Sequence, residues 1–239
     1  MQSRFFVIID ARGAFVFFST SSHFSSHLHL NHQPLHQVKA EMWRFPDRTT
    51  EIGTMINAYL ARSKELDDAA VHLLFSANRW EKRAELLREL SKGTTLVCDR
   101  YAFSGVAFTA AKQKTGMGFD WCRAPDQGLP APDAVLYLDL APAEAEKRGG
   151  FGEERYESRE MLSSVREAFD EIAAFVDGRC TRWVRVDASG SVEEVGERVG
   201  AAARASVEAA AQGGVPLRSL WDGSAGVVGW PLKEEEKKV

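Results

Sequence analysis

The sequence lacks the features of a membrane-spanning, disulfide-stapled or nucleic-acid-coating protein. No apolar run approaches the roughly 18 residues that a membrane span requires. There are only three cysteines, Cys98, Cys122 and Cys180, an odd number without paired spacing, so a reduced intracellular compartment is expected. A basic surplus is also missing, because 34 acidic and 30 basic side chains leave a formal net charge of −4. Proteins that coat a phosphate backbone usually carry such a surplus, so we expect neither a nucleic-acid nor a membrane partner.

What is present is enough apolar material for a substantial core. Hydrophobic residues make up 44% of the 239-residue chain. This length and composition predict one large domain, or at most two small ones.

The first 37 residues differ in composition from the rest. Two short apolar runs, Phe5–Ile9 and Ala14–Phe18, predict strands. The following segment, Ser19–Gln37, holds five of the six histidines and no acidic residue. A His-rich tract can bind metal, but no carboxylate or cysteine joins it. Its composition, rich in serine and poor in acidic residues, is also typical of a transit peptide, although the expected arginines are missing. We expect a poorly packed segment.

From Val38 onward, apolar strands alternate with amphipathic helical patterns. This alternation predicts an α/β fold in which helices cover both faces of a parallel sheet, giving three layers. The predicted units are an atypical segment at 1–37, a domain at 38–214, and an extension with a charged tail at 215–239. The predicted strands are Thr94–Cys98, Ala134–Leu138 and Trp183–Val186, and the predicted helices are Ile52–Leu60, Leu74–Leu90, Met161–Val176 and Ser191–Gln212.

Polar residues follow the predicted strands, and in parallel sheets ligands bind beyond the carboxyl ends of the strands. Asp99 and Arg100 follow one strand, Asp139 another and Asp187 a third. An arginine at such a position can grip a phosphate bidentately, and the preceding carboxylate can hold magnesium directly or through water. A structural ion pair is the alternative interpretation of Asp99 and Arg100.

Phe75 and Arg79 lie four positions apart, on one face of a predicted helix. An aromatic ring with a guanidinium one turn away can stack a flat base and donate hydrogen bonds to its carbonyl edge. Ordinary core packing is the alternative for Phe75. Arg48 lies in a predicted turn ahead of a helix.

Five strings carry a resemblance to a known family over roughly Ala40 to Ser191. The chain resembles the eukaryotic thymidylate kinases. The resemblance implies the P-loop nucleoside monophosphate kinase fold and transfer of the γ-phosphate of ATP to dTMP, giving dTDP for dTTP biosynthesis. It also implies magnesium, a homodimer and a cytoplasmic location, with a nuclear or mitochondrial pool left open. The strings are RFPDRTTEIG, HLLFSANRW, VCDRYAFSGVAFTAAK, DWCRAPDQGLPAPDAVLYLDL and KRGGFGEERYE.

Roles for individual residues follow from the matching positions of that family. Asp99 and Arg100 would be catalytic, with Asp99 near the metal. A lid over ATP would include Arg148, Gly150, Arg155 and Tyr156, and the adenine would meet Asp187 and Ser189. The implied dTMP contacts are Phe45, Arg48, Phe75, Arg79, Arg100, Ser104 and Gly105.

The resemblance fails where the family holds the donor phosphates. Such kinases carry G-x-x-x-x-G-K-[ST] after the first strand, and this string occurs nowhere in the chain. The sequence after Ala14–Phe18 is STSSHFSSHLHL. The other possible position for the phosphate loop, Ile8–Ala14, has one glycine and no lysine.

Two explanations of this departure are open. Ser19 to about Gln37 replaces the phosphate loop in an incorrectly assembled gene product, or the chain is a genuine variant that binds nucleotide with little turnover. The abrupt change in composition near Ala40 favours the first. Either way we expect impaired catalysis, and the alternative function is a non-catalytic dTMP-binding or dimerising protein. A kinase for another pyrimidine nucleotide is a third hypothesis, although a donor at Arg79 disfavours cytosine.

Overall fold

A sheet of five parallel strands forms the centre of the molecule. The computed structural model describes residues 6–11, 39–145, 155–156, 158–179, 181–213 and 217–221. The strand order is β2-β3-β1-β4-β5, and every pairing is parallel. Parallel neighbours need crossover connections, which the intervening helices supply. The strands are β1 (Phe6–Ala11), β2 (Ala40–Arg44), β3 (Thr95–Asp99), β4 (Ala134–Asp139) and β5 (Arg182–Asp187).

Eight α-helices occur within the described ranges. Side-chain caps start the first two, since the Thr50 hydroxyl accepts from Gly53 N and the Asp67 carboxylate accepts from Ala69 N and Ala70 N. The helices are α1 (Glu51–Leu60), α2 (Asp68–Glu81), α3 (Arg83–Ser91), α4 (Ala102–Ala110), α5 (Phe119–Arg123), α6 (Pro142–Ala145), α7 (Arg159–Val176) and α8 (Val192–Gly213).

Two apolar clusters, one on each face of the sheet, make the domain three layers deep. Alternate β4 residues separate them, because Val135 and Tyr137 join one cluster while Leu136 and Leu138 join the other. The larger cluster takes its helical side chains from α3, α4, α5 and α7, and the smaller one from α6 and α8, with Leu162 of α7. This architecture confirms the predicted three-layer α/β fold.

A third, smaller cluster lies beside the sheet. It joins Ile56, Tyr59 and Leu60 of α1 to Val71 of α2, with Phe75 and Tyr156 packed against it. This cluster holds the α1–α2 pair over one edge of the sheet.

The structure differs from the sequence-based prediction in several elements. The pattern Leu74–Leu90 predicted one helix, but the chain breaks at Lys82 into α2 and α3. β2 was not predicted, because it is an edge strand whose residues are all at least partly exposed. α4 was not predicted either, because it is apolar on nearly all sides and shows little periodicity.

Both end segments contribute described residues to the fold, and β1 overlaps the predicted strand Phe5–Ile9. β1 lies within the atypical segment 1–37, yet it is the central strand of the sheet. Residues 217–221 lie within the predicted extension, yet Leu217, Leu220 and Trp221 are buried in the larger cluster. The Ala14–Phe18 prediction lies outside the described residues. Among the helices of the described ranges, none is long and apolar enough to cross a membrane.

Candidate functional site

An open cleft lies beyond the carboxyl ends of β2 and β3. It encloses about 990 Å³ of empty space, a figure that includes space open to solvent. Four arginines line it, two of which, Arg44 and Arg79, are paired with Asp99 and Asp126, and such a lining suits an anionic ligand. The lining residues are Arg44, Phe45, Pro46, Arg48, Leu60, Val71, Phe75, Arg79, Arg100, Tyr101, Ser104, Gly105, Phe108, Thr109, Tyr156 and Leu162.

The structure brings the predicted dTMP contacts together in this one cleft. All seven line it, namely Phe45, Arg48, Phe75, Arg79, Arg100, Ser104 and Gly105. Tyr156, predicted for the lid, lines the cleft as well, whereas Asp99, Arg155, Asp187 and Ser189 do not. Arg148 and Gly150 lie outside the described residues.

Arg79 is fixed by a buried bidentate ion pair. Its Nε donates to Asp126 Oδ1 at 3.0 Å and its Nη2 to Asp126 Oδ2 at 2.6 Å. The two side chains are 2% and 0% exposed, and the Ser76 hydroxyl donates to the same carboxylate at 2.8 Å. An arginine held in this way presents a rigid guanidinium plane to the cleft.

Gly105 allows α4 to approach that guanidinium closely. A Cβ at this position would lie 3.2 Å from Arg79 Nη2. Ser104 and Gly105 are in the first turn of α4, so the positive end of the helix dipole lies beside the cleft.

Arg100 has a left-handed backbone conformation, with φ of 66°. A non-glycine residue rarely adopts it, and such strain is common at functional sites. Arg100 directly follows the last residue of β3. Its guanidinium carbon lies 5.7 Å from the centre of the Phe108 ring. The chain therefore holds this arginine in the cleft at some conformational cost.

Arg48 extends from a tight turn between β2 and α1. Its Nη1 donates to Asn57 Oδ1 at 2.9 Å. The Asp47 carboxylate accepts from the Thr49 amide and hydroxyl. The pKa of Asp47 is lowered: burial acts in the opposite direction, and the hydrogen bonds from Thr49 and the charge of Lys82 outweigh it. The turn therefore presents Arg48 from an internally bonded backbone.

Glycine is the only residue type that fits at position 53, in the first turn of α1. A Cβ there would lie 1.8 Å from the carbonyl oxygen of Asp47. The backbone of α1 thus packs directly onto the turn that carries Arg48.

Asp99 is paired with Arg44 across neighbouring strands. Arg44 Nε donates to Asp99 Oδ2 at 2.7 Å, and the Asp99 side chain is only 7% exposed. Within the described ranges, no group of three or more His, Cys, Asp or Glu side chains is placed to hold a metal. Mg²⁺ is usually held by one or two carboxylates together with substrate phosphates and waters, so Asp99 would contribute a ligand only beside a bound nucleotide phosphate.

Arg155 and Tyr156 contact the end of α1. Arg155 donates to Glu65 Oε1 at 2.6 Å, to Glu65 Oε2 at 2.9 Å and to the Tyr59 carbonyl at 3.1 Å. The Tyr156 hydroxyl lies 3.1 Å from that of Tyr59, and burial, with this contact, raises the pKa of Tyr156. The hydrogen bonds of Arg155 to Glu65 and Tyr59 therefore hold the neighbouring Tyr156 beside the cleft.

Asp187 and Ser189, predicted to contact adenine, form a turn at the end of β5. The amide and the hydroxyl of Ser189 each donate to the Asp187 carboxylate at 2.9 Å, and these bonds lower the pKa of Asp187. Asp187 pairs in register with Asp139, so both residues end their strands at the same edge of the sheet.

His72 is a site residue that sequence reasoning missed. It is 1% exposed, and its Nε2 lies 2.9 Å from the carbonyl oxygen of Cys122, so Nε2 carries the proton. Nδ1 then accepts from Thr109 Oγ1 at 2.8 Å, and Thr109 lines the cleft. Burial, followed by the charge of Arg79, lowers the pKa of His72. Its sequence signal was weak, because a lone histidine in an apolar helix pattern resembles any core residue.

The strand order and the arginine-lined cleft define a P-loop nucleoside monophosphate kinase fold. The sequence profile "Thymidylate kinase" matches residues 25–199 of the chain. The chain therefore belongs to the thymidylate kinase family. The match begins beyond β1.

Individual relatives agree with this membership. The chain is 46% identical over 181 residues to a thymidylate kinase of Arabidopsis thaliana, covering 76% of this chain and 65% of that one. It is 45% identical over 183 residues to a thymidylate kinase of Homo sapiens, covering 77% of this chain and 83% of that one. The chain thus spans just under two thirds of the plant relative.

A solved structure supports the same fold. The thymidylate kinase of Candida albicans superimposes with a TM-score of 0.68 at 32% identity, covering 87% of this chain and 92% of that one. These comparisons confirm the predicted family and fold.

The contact at Gly53 predicts a large penalty for a single methyl group. Gly53→Ala forces α1 away from the Asp47 carbonyl and costs about 1–3 kcal/mol of unfolding free energy, because overpacked sites relax only partly. Gly196→Ala is the matched control, since a Cβ there meets nothing within 4 Å inside helix α8, and it stabilises by about 0.5–1 kcal/mol. Urea unfolding measures both, and equal effects would contradict this account.

The buried His72 predicts a pH-dependent stability. Its folded pKa lies below 6.5, so the unfolded chain binds the proton more readily, and the stabilisation is full above that value and lost as pH falls below it. The wild-type free energy of unfolding should fall by up to about 1.4 kcal/mol per pH unit more than that of His72→Gln, between about pH 6.5 and the folded pKa. Urea unfolding at several pH values tests this, and parallel pH profiles would disagree with it.

Proposed function

We propose that the cleft binds dTMP as the acceptor of a phosphate from ATP, giving dTDP. The observation that carries this proposal is the convergence of Arg48, Arg79 and Arg100 on one cleft together with Phe75. Transfer between two polyanions is limited by charge repulsion and alignment, which cationic side chains relieve. An oxygen of the dTMP phosphate is the nucleophile, so no side chain has to supply one.

The base end of the cleft is assigned to α2. Phe75 stacks the thymine, and Arg79, locked by Asp126, donates to a carbonyl of the base. Cytosine offers an amino group at the equivalent edge, so a donor at Arg79 favours thymine. Ser104 and Gly105 form the neighbouring wall, and Phe45 closes the other side.

The phosphate end is assigned to Arg48 and Arg100. They enter the cleft from two separate segments, one before α1 and one after β3. A phosphate between two guanidinium groups accepts charge-assisted hydrogen bonds from both. Arg44, paired with Asp99, adds positive charge beside them.

The donor end rests on family membership. ATP with Mg²⁺ is the proposed donor, with Arg148, Gly150, Arg155 and Tyr156 as its lid and Asp187 with Ser189 near the adenine. Asp99 and Arg100 are proposed as the catalytic residues. Asp99 would face the metal that ATP brings, after its ion pair with Arg44 has opened. A cytoplasmic location, with a nuclear or mitochondrial pool as the alternative, stays a prediction.

Turnover by this chain is proposed to be slow. The sequence contains no G-x-x-x-x-G-K-[ST] motif. In P-loop enzymes the backbone amides and the lysine of this motif cradle the donor phosphates. The same observation supports the second candidate function, a non-catalytic dTMP-binding protein. The two differ in turnover and agree in dTMP binding.

Calorimetry and a coupled assay test the two halves separately. We expect dTMP to bind, and turnover with ATP, Mg²⁺ and dTMP to fall well below the roughly 1–100 s⁻¹ of kinases. Arg48→Ala and Arg100→Ala should each weaken dTMP binding by about 10- to 100-fold, because each removes a charge-assisted contact. Arg204→Ala, an exposed arginine on α8, is the matched control and should leave the affinity unchanged.

Each outcome bears on a different statement. Turnover within the ordinary kinase range contradicts the impairment. A chain that binds no dTMP contradicts the acceptor assignment.

A homodimer is proposed through the outer face of α2. Leu73 and Trp80 lie two turns apart on this helix and are 48% and 39% exposed, so they form an apolar strip on its outer face. A second copy of the chain would cover both.

Sedimentation tests the dimer. The wild type should sediment as a dimer, and the double variant Leu73→Glu/Trp80→Glu as a monomer, because buried charges would oppose association. Val192→Glu is the control, since Val192 is 50% exposed at the start of α8 and the variant should remain dimeric. A dimeric double variant would exclude this face.

A further inference from the structure

Asn78 is buried between α2 and the turn that carries Arg48. It is 0% exposed, and it directly precedes Arg79, yet it is not part of the cleft lining. Its carboxamide faces Asp47: Oδ1 accepts from the Asp47 amide at 2.8 Å, and Nδ2 donates to the Asp47 carbonyl at 3.1 Å. The side chain thus pairs with both backbone groups of one residue, as a neighbouring strand would.

Further hydrogen bonds fix the orientation of that carboxamide. Nδ2 also lies 3.1 Å from Thr50 Oγ1 and 2.6 Å from Glu81 Oε1, so its two hydrogens are shared among three acceptors. The Thr50 hydroxyl in turn donates to Glu81 Oε1 at 2.7 Å and accepts from Gly53 N at 2.9 Å. These acceptors distinguish the nitrogen of Asn78 from its oxygen, so only one orientation of the amide satisfies all partners.

Arg48 lies inside the clamped segment. Asp47 on one side and Thr50 on the other are both bonded to Asn78. The Arg48 side chain is exposed and long, so holding it in one place costs conformational entropy. A turn fixed before the ligand arrives reduces the ordering that binding must impose.

We propose that Asn78 is a positioning residue that fixes the backbone from which Arg48 reaches the phosphate of the bound nucleotide. This inference rests on the proposed function and deepens it. Helix α2 then serves both ends of the ligand: Phe75 and Arg79 address the base, and Asn78, acting through Arg48, addresses the phosphate. An amide is required because it supplies one acceptor and one donor at the same reach. Aspartate would lack the donor and would set a second carboxylate against Glu81.

Calorimetry with dTMP and with thymidine separates positioning from general stability. Arg48 is assigned to the phosphate, so Asn78→Ala should weaken dTMP binding by about tenfold, the effect of one hydrogen-bonding interaction, and leave thymidine binding unchanged. In an Arg48→Ala background the same change should have almost no further effect on dTMP, because coupled residues are not additive.

Two further variants guard against a simple loss of folding. Glu81→Ala removes an exposed partner of the Asn78 amide and should give a smaller loss, about two- to threefold, again confined to dTMP. Thr181→Val removes a buried hydroxyl that donates to the Pro132 carbonyl at 2.9 Å, remote from the cleft. It should lower the unfolding temperature without changing either affinity.

Several results would overturn the inference. An equal loss of dTMP and thymidine affinity in Asn78→Ala would make Asn78 a residue of general stability, as would an undiminished tenfold effect in the Arg48→Ala background. A wild-type chain that binds dTMP, with Glu81→Ala and Asn78→Ala both unaltered, would remove this inference alone. A wild-type chain that binds no dTMP would remove the proposed function as well.

Discussion

Three elements of the molecule meet at the guanidinium group of Arg79. It belongs to α2, it pairs with Asp126 in the loop before β4, and it lies against Gly105 in the first turn of α4. Both charges are buried, and removing either one would leave the other without compensation in a place water cannot reach. The intact ion pair therefore fixes the position of α2 relative to α4, and these two helices form one wall of the cleft. The position of Phe75, one turn before Arg79, follows from it.

The recognisable strings were sufficient to predict the cleft but not its supports. All seven residues assigned to dTMP by resemblance line one cavity. Asn78 and Asp126 lie in the same strings and were passed over, since a polar residue that bonds to one turn or to one distant side chain leaves no periodic signal. Similarly, β2 and α4 were missed because the first is an edge strand and the second is apolar all round. β3 and β4, which are buried on both faces, were predicted, and so was the partly exposed edge strand β5.

The ends of the chain show the limit of composition as a guide to packing. Residues 217–221 follow a helix and precede a charged tail, and nothing in their spacing suggests a core position. Yet Trp221 lies 5.3 Å from the Phe103 ring, and the Leu220 amide donates to the Leu129 carbonyl at 2.8 Å. Such contacts join residues about 100 positions apart, and only the folded topology brings them together. The same holds for β1, whose place between β3 and β4 cannot be derived from its own six residues.

Acceptor binding and donor binding are physically separable in this fold. The cleft is held by α2, α4 and the turn before α1, all of which lie within the part of the chain that matches the family strings. A loss of donor phosphate contacts raises the barrier to transfer, since those amides and the lysine act on charge that develops in the transition state. It does not by itself remove the guanidinium groups that we propose bind the acceptor. A chain of this kind is therefore expected to keep its affinity for the nucleotide more readily than its turnover.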